Sequence, residues 1–170
     1  YPAMFDGEDK DMAGNGPFSW IIFVGDSGEG LDDYDLWTTS LVKRGFIVVI
    51  TQALSDETDV EATLERFVDI RSSMVEQNQS NEHVMGTAGN IDLDHWGVSG
   101  HGKGATAAYL SFPFWEQSSA GSDAHPPRGL YGLGIDFEDL EEGFGWTDVA
   151  SPNFPRPNTG LFITGTVDEV

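Results

Sequence analysis

The sequence contains no cysteine. This absence excludes disulfide bonds, thiolate metal sites and a cysteine nucleophile. It does not indicate whether the protein resides in an oxidising or a reducing compartment. No apolar run is long enough to predict a membrane span, and the acidic first residues do not resemble a signal peptide. At 170 residues the chain is long enough for a substantial core, and we expect one domain over residues 1–170.

Basic residues are also scarce, since 8 Lys and Arg face 29 Asp and Glu for a net charge of -21. Such a surface repels nucleic acid and anionic membranes, so we expect neither as a partner. Acid excess suits a protein that stays soluble in high salt, where self-repulsion is screened. We therefore expect a high-salt or marine source, with secretion as one localisation; the alternative is an acidic surface without environmental meaning.

Strand-like and helix-like apolar patterns alternate along the chain. The predicted strands are residues 19–24, 46–50, 94–99, 129–135 and 161–165. The predicted helices are residues 33–43, 59–77 and 102–112, and the longer predicted loops are 77–90 and 113–127. The second helix carries an apolar face made of Val60, Leu64, Phe67, Val68 and Met74. The alternation predicts a parallel α/β sheet.

The most informative segment runs from Asp94 to Ala105 and has the pattern of a strand, a glycine-rich turn and a helix start. Its frame Gly100-x-Gly102-x-Gly104 matches the Gly-x-Ser-x-Gly elbow that carries a hydrolase nucleophile, except that its centre is glycine. The outer glycines allow strand and helix to approach closely, and the helix N-terminus directs N–H groups at a reacting oxygen. Gly102 meets the backbone requirement but supplies no nucleophile.

Two other interpretations of this segment are weaker. Ser99 is a second candidate nucleophile, but its frame lacks the last glycine and Ser99 would end the strand rather than occupy the turn. A phosphate-binding loop needs Ser or Thr after its lysine, whereas Lys103 is followed by Gly104. We therefore prefer the elbow centred on Gly102.

These segments, in this order, resemble the α/β-hydrolase superfamily, in particular dienelactone hydrolases, cutinase-like polyester hydrolases and chlorophyllases. The resemblance is carried by residues 1–3, 17–30, 41–49, 92–108 and 161–170. It implies an α/β fold, with a mostly parallel, doubly wound sheet of α/β-hydrolase type that is truncated at both ends, and hence an incomplete domain. It also implies an ester substrate or small apolar ligand, and no cofactor.

The family's roles can be transferred by position. The nucleophile position falls on Gly102 and is vacant, and the triad acid falls on Asp168. The oxyanion donors would be the backbone N–H groups of Lys103 and Ser27. A carboxylate at Asp26 would oppose a developing oxyanion if it pointed inward. The catalytic histidine should follow the acid, and that place is held by none of His83, His95, His101 and His125.

The resemblance therefore implies an ester-hydrolase scaffold that is inactive in this form, a pseudoenzyme. The alternative is a non-catalytic binding or assembly subunit that keeps the fold. Because residues 161–165 would leave an exposed sheet edge, we expect association through that edge or cover by further polypeptide.

Metal binding is not expected from either acidic run. Residues 6–11 lack calcium-loop spacing, and residues 138–142 are interpreted as a solvated helix face or loop. His95 and His101 are assigned to strand and elbow, so a metal pair is not expected. Five aromatic residues either line a cleft above the elbow or cap the core: Phe112, Phe114, Trp115, Phe144 and Trp146.

Overall fold

The computed structural model describes residues 16–52, 60–80, 89–117, 127–133 and 160–163. Several sequence predictions concern residues outside these ranges: Asp168, His83, His125, Phe144, Trp146 and both acidic runs.

Strands and helices alternate through the described residues as the sequence predicts. The strands are β1 (Phe18–Gly25), β2 (Ile47–Gln52), β3 (Ile91–His101), β4 (Gly129–Leu133) and β5 (Gly160–Ile163). The helices are α1 (Asp35–Val42), α2 (Val60–Gln79) and α3 (Lys103–Gln117), and a 3-10 turn at Leu31–Tyr34 precedes α1. The predicted helix at 33–43 thus divides into that turn and α1.

The five described strands form one sheet in the order β2-β1-β3-β4-β5, and every pairing is parallel. The strand that leads into the glycine-rich turn, β3, is the middle strand and lies between β1 and β4. Its central place confirms the prediction that the elbow strand occupies the middle of a parallel sheet. Since the carboxyl ends of parallel strands share one edge, the loop after β1 and the turn after β3 lie side by side.

Both faces of β1 contribute to packing, as expected for an interior strand of a parallel sheet. Trp20, Ile22 and Val24 are buried on one face, in the core cluster that also contains residues of α2 and α3. Phe23 points to the other face, where its ring lies 4.8 Å from that of Tyr34 and 4.3 Å from that of Trp37. The Asp26 loop is therefore attached to a strand that is fixed from both sides.

A pair of stacked indoles joins β1 to β3. Trp20 and Trp96 are register partners, and their rings lie 4.9 Å apart at an angle of 10°. Both side chains are buried. Burial of two aromatic side chains of this size contributes strongly to the stability of the sheet.

Helix α2 packs its predicted apolar face toward α3 and β3. Leu64, Phe67 and Met74 are buried, and Val68 packs at the margin of the same cluster. None of the helices in the described ranges is long and apolar enough to cross a bilayer.

One sequence prediction about α3 is wrong. A loop was predicted from Pro113, but α3 continues to Gln117. Proline removes one backbone donor and disfavours a helix interior, so the local sequence at Pro113 favours a loop. Tertiary context overrides it here, because α3 packs along β1, β3 and β4.

Candidate active site

The glycine-rich turn lies where β3 ends and α3 begins. His101 is the last residue of β3, Lys103 is the first of α3, and Gly102 alone separates them. Gly102 has φ of +54°, a left-handed conformation that costs an L-residue about 1–2 kcal/mol. The single residue at the apex therefore occupies a sharp strand-to-helix turn with a backbone conformation that favours glycine.

The two outer glycines are required by backbone contacts. A Cβ on Gly104 would lie 2.7 Å from the carbonyl carbon of Val24 and 2.9 Å from the carbonyl oxygen of Gly25. A Cβ on Gly100 would lie 2.6 Å from the backbone nitrogen of Ala105. Helix α3 thus starts in direct contact with the ends of β1 and β3, as close approach through the outer glycines predicts.

The Asp26 carboxylate fills the space beside Gly102. A Cβ built on Gly102 would lie 2.5 Å from the Asp26 carboxyl carbon and 2.9 Å from its Oδ1. Asp26 belongs to the loop directly after β1, so the side chain reaches the elbow from the neighbouring strand. The inward orientation that the sequence analysis named as a condition is the one observed.

Asp26 Oδ1 accepts hydrogen bonds from two backbone N–H groups. The Ser27 N–H donates over 2.8 Å, and the Lys103 N–H donates over a longer 3.4 Å. These are the two N–H groups named as oxyanion donors from the sequence, and they come from different segments of the chain. The structure brings them to one oxygen atom, and the Lys103 contact is the weaker of the two.

Tyr34 joins the Asp26 loop to the end of β3. Its phenol oxygen accepts the Asp26 N–H over 2.9 Å and lies 3.1 Å from Nδ1 of His101. Burial raises the pKa of the Tyr34 phenol, and the negative charge of nearby Asp26 raises it further, although the hydrogen bond from the Asp26 backbone opposes them. The protonated phenol has one O–H group, which can donate to Nδ1 of His101.

Comparison with known proteins identifies the fold. No family model matches the sequence, and no curated protein matches it significantly. Among solved structures, an inhibited esterase B from Lactobacillus rhamnosis matches 80% of this chain with 18% sequence identity and a TM-score of 0.51. The fold is that of the α/β-hydrolases.

The matched region is part of a longer protein in each case. This chain covers 46% of the esterase, so it spans about half the length of that relative. A mutant of potato epoxide hydrolase matches 78% of this chain with 18% identity and a TM-score of 0.42, and 41% of that protein is covered.

Within this α/β-hydrolase fold, Gly102, Lys103, Ser27 and Asp26 come together at the carboxyl edge of the sheet. Ser99 does not join them, because it lies inside β3 and is only 2% exposed. Its Oγ has no hydrogen-bond partner among the described residues.

Tyr34 belongs to no sequence motif and is not among the residues predicted for the site. It lies eight positions after Asp26 and 67 before His101, so only the folded loop reveals the contact. Tyr34 falls inside the predicted helix at 33–43, and its only distinguishing feature in the sequence is an aromatic ring among acidic residues.

His95 lies toward the opposite end of β3 from the elbow, with its Nδ1 2.9 Å from the Asp92 carboxylate. The structure therefore separates it from His101. No group of three or more His, Asp or Glu side chains that could hold a metal ion occurs in the described ranges.

Proposed function

We propose that this chain is a hydrolase-fold protein of the carboxylic-ester-hydrolase type that does not itself hydrolyse esters. The observation that carries the proposal is Gly102, which occupies the apex between β3 and α3 with the backbone of an elbow and no side-chain oxygen. In subtilisin, loss of the serine nucleophile costs about six orders of magnitude in turnover. A turn of this shape without the oxygen keeps the scaffold and loses the attacking atom.

Ser99 is a poor replacement for the missing nucleophile. An activated serine needs a base within hydrogen-bond reach and an open path to the substrate. Ser99 is buried within β3, and its Oγ has no hydrogen-bond partner in the described part of the chain. In this proposal its role is that of a strand residue.

The remaining assignments belong to the same proposal. Ser27 and Lys103 supply the backbone donors of the former oxyanion site, Gly102 holds the vacant nucleophile position and Asp168 holds the acid position. The convergence of two N–H groups on Asp26 Oδ1 supports the assignment of Ser27 and Lys103 as donors. The substrate type, a carboxylic ester or another small apolar ligand, rests on the sequence resemblance.

Ester turnover and active-site labelling test the proposal together. Wild-type protein is incubated with p-nitrophenyl acetate and butyrate, and separately with a fluorophosphonate followed by peptide mapping. We expect hydrolysis at the buffer rate and no labelled serine. Turnover above buffer overturns the proposal.

A Ser99→Ala variant is the matched control for labelling. If the wild-type protein is labelled and Ser99→Ala is not, Ser99 is the nucleophile and the elbow frame chosen here is wrong. A known serine esterase in the same reaction shows that the substrates and the probe are competent.

A second candidate function is assembly through a sheet edge. In the described sheet, β2 pairs only with β1 and β5 pairs only with β4. Strands with one neighbour present backbone donors and acceptors to another strand. Light scattering should show association of the isolated chain, with slow amide exchange at Phe162. A monodisperse monomer with a rapidly exchanging Phe162 amide would contradict it.

A further inference from the structure

Asp26 makes contacts at the elbow that the proposed loss of hydrolysis neither requires nor explains. Glycine at position 102 removes the nucleophile whether or not the site is otherwise open. Yet both candidate oxyanion donors are directed at one oxygen of this side chain, Oδ1, at 2.8 Å from Ser27 N and 3.4 Å from Lys103 N. The N-terminal end of α3, which starts at Lys103, further favours a negative charge here.

The rest of the carboxylate occupies the volume that an elbow side chain would use. A Cβ on Gly102 would lie 2.5 Å from the Asp26 carboxyl carbon, closer than non-bonded carbon atoms approach. The Asp26 position observed here and a side chain at position 102 therefore exclude one another. A substrate carbonyl that approached the two N–H groups would meet the same carboxylate.

The loop that carries Asp26 is held in place by a separate set of contacts. The Asp26 N–H donates to Tyr34 Oη over 2.9 Å, and the Tyr34 ring packs 4.8 Å from that of the buried Phe23. Tyr34 also reaches His101 at the end of β3. The backbone of the residue that carries the carboxylate is therefore held beside the turn.

We propose that Asp26 is an internal ligand of the two candidate oxyanion donors, and that its carboxylate closes the anion site at the elbow. The inference rests on the proposed function, because it takes the turn at Gly102 to be a hydrolase elbow. It adds that the donors remain competent and that their occupant is part of the chain. A small carboxylate should bind them once the Asp26 carboxylate is removed.

The wild-type protein gives the first test, through amide hydrogen exchange at Lys103. The first N–H groups of a helix have no acceptor within the helix, so they exchange quickly unless another group holds them. We expect the Lys103 amide to be protected in the wild type and to exchange at least about tenfold faster in Asp26→Ala, as loss of one hydrogen bond worth about 1.4 kcal/mol would give. A Lys103 amide that is unprotected in the wild type overturns the proposal without any variant.

Formate titration followed by ¹H–¹⁵N NMR gives the second test. In Asp26→Ala, sodium formate at constant ionic strength should shift the Lys103 amide saturably, and in the wild type it should not. Lys103 is the reporter because it lies 77 residues from the substitution. Absence of a saturable shift in a folded Asp26→Ala protein, or an equal shift in the wild type, overturns the proposal.

Two control variants separate loss of the Asp26 side-chain oxygen from loss of any nearby carboxylate and from loss of charge alone. Asp33→Ala removes a nearby carboxylate in the 3-10 turn, one that accepts the Gly30 N–H over 2.8 Å, and should leave Lys103 protection unchanged. Asp26→Asn keeps a side-chain oxygen in the site, so its Lys103 amide should not respond to formate. If it responds as Asp26→Ala does, the side-chain oxygen of residue 26 does not occupy the two N–H groups. Ester turnover by the wild type would overturn the proposed function. Lys103 amide exchange and the formate titration would still show whether Asp26 occupies the two N–H groups.

Discussion

The two ends of β3 are held in different ways. At its start, Asp92 accepts hydrogen bonds from the Asp94 and His95 N–H groups and lies 2.9 Å from His95 Nδ1. These contacts span no more than three residues, and His95 is exposed. At its far end, backbone meets backbone, because Gly100 and Gly104 leave no room for a Cβ between α3, β1 and β3.

The difference shows which parts of the elbow are rigid. A side chain added at the outer glycines would collide with backbone atoms that the sheet holds in place. A side chain added at Gly102 would collide with the Asp26 side chain, which can rotate away. The scaffold of the elbow is therefore fixed by the sheet, while its centre is limited by one movable residue.

Gly104→Ala tests the end of β3 at the elbow, where backbone contacts backbone, and should have the largest effect on stability. The added methyl group would lie within 3.0 Å of backbone atoms of Val24 and Gly25, which can move only if β1 moves. Overpacking of this kind costs about 3 kcal/mol, and more where the backbone cannot shift. Urea unfolding should show a lower midpoint with an unchanged slope.

The matched control is Gly28→Ala, in the loop after β1. No described atom lies within 4 Å of a Cβ built on Gly28, so its stability should change by less than about 0.5 kcal/mol. If Gly104→Ala were as stable as Gly28→Ala, the close contact between α3 and β1 would be wrong.

Gly102→Ser tests the centre, and its cost should depend on Asp26. The left-handed backbone costs serine about 1 kcal/mol, and displacement of the Asp26 carboxylate adds a further amount of about 1 kcal/mol. A double-mutant cycle with Asp26→Ala should therefore return a coupling energy of about 1 kcal/mol. The free energies of unfolding of the four proteins are the measurement.

Gly45→Ser separates the two costs. Gly45 also has a positive φ, of 91°, but no described atom lies within 4 Å of a Cβ built there. It should lose stability through conformation alone and show no coupling to Asp26→Ala. Equal coupling at both glycines would mean that Asp26 does not occupy the space beside Gly102.

Local patterns predicted the scaffold well because its causes are local. Apolar periodicity located every described strand and helix, and the spacing of Gly100, Gly102 and Gly104 located the turn. The elbow strand was predicted to end at Ser99 but ends at His101, since pairing with β4 continues to that residue.

The position of the Asp26 carboxylate beside Gly102 was not predictable from local patterns. The sequence showed that Asp26 would oppose an oxyanion if it pointed inward, but its direction depends on Tyr34, Lys103 and the absence of a Cβ at Gly102. Those contacts join segments that are far apart in the chain, so no local pattern contains them. Asp168 lies outside the described residues, and its place as the triad acid stays a prediction.

Asp92→Asn tests the start of β3 and should have the smallest effect on stability. Burial alone would raise the pKa of Asp92, but hydrogen bonds from His95 and from the Asp94 and His95 N–H groups outweigh it and hold the pKa below its ordinary value of 3.8. The native state thus binds this proton less readily than the unfolded state. The stabilisation is present above the ordinary pKa and is lost as the pH falls through the lower native pKa.

At about pH 7 the variant should be less stable than the wild type by under about 1 kcal/mol, because the partner side chain, His95, is exposed to solvent. The difference should shrink toward zero as the pH falls below about 4. Asp69→Asn, at an exposed position on α2, is the control for the loss of one carboxylate. A difference that grows in acid, or one shared by both variants, would mean that the contacts of Asp92 do not stabilise the start of β3. Loss of a carboxylate there should in either case leave α3 and the elbow in place, since neither contributes a hydrogen bond to Asp92.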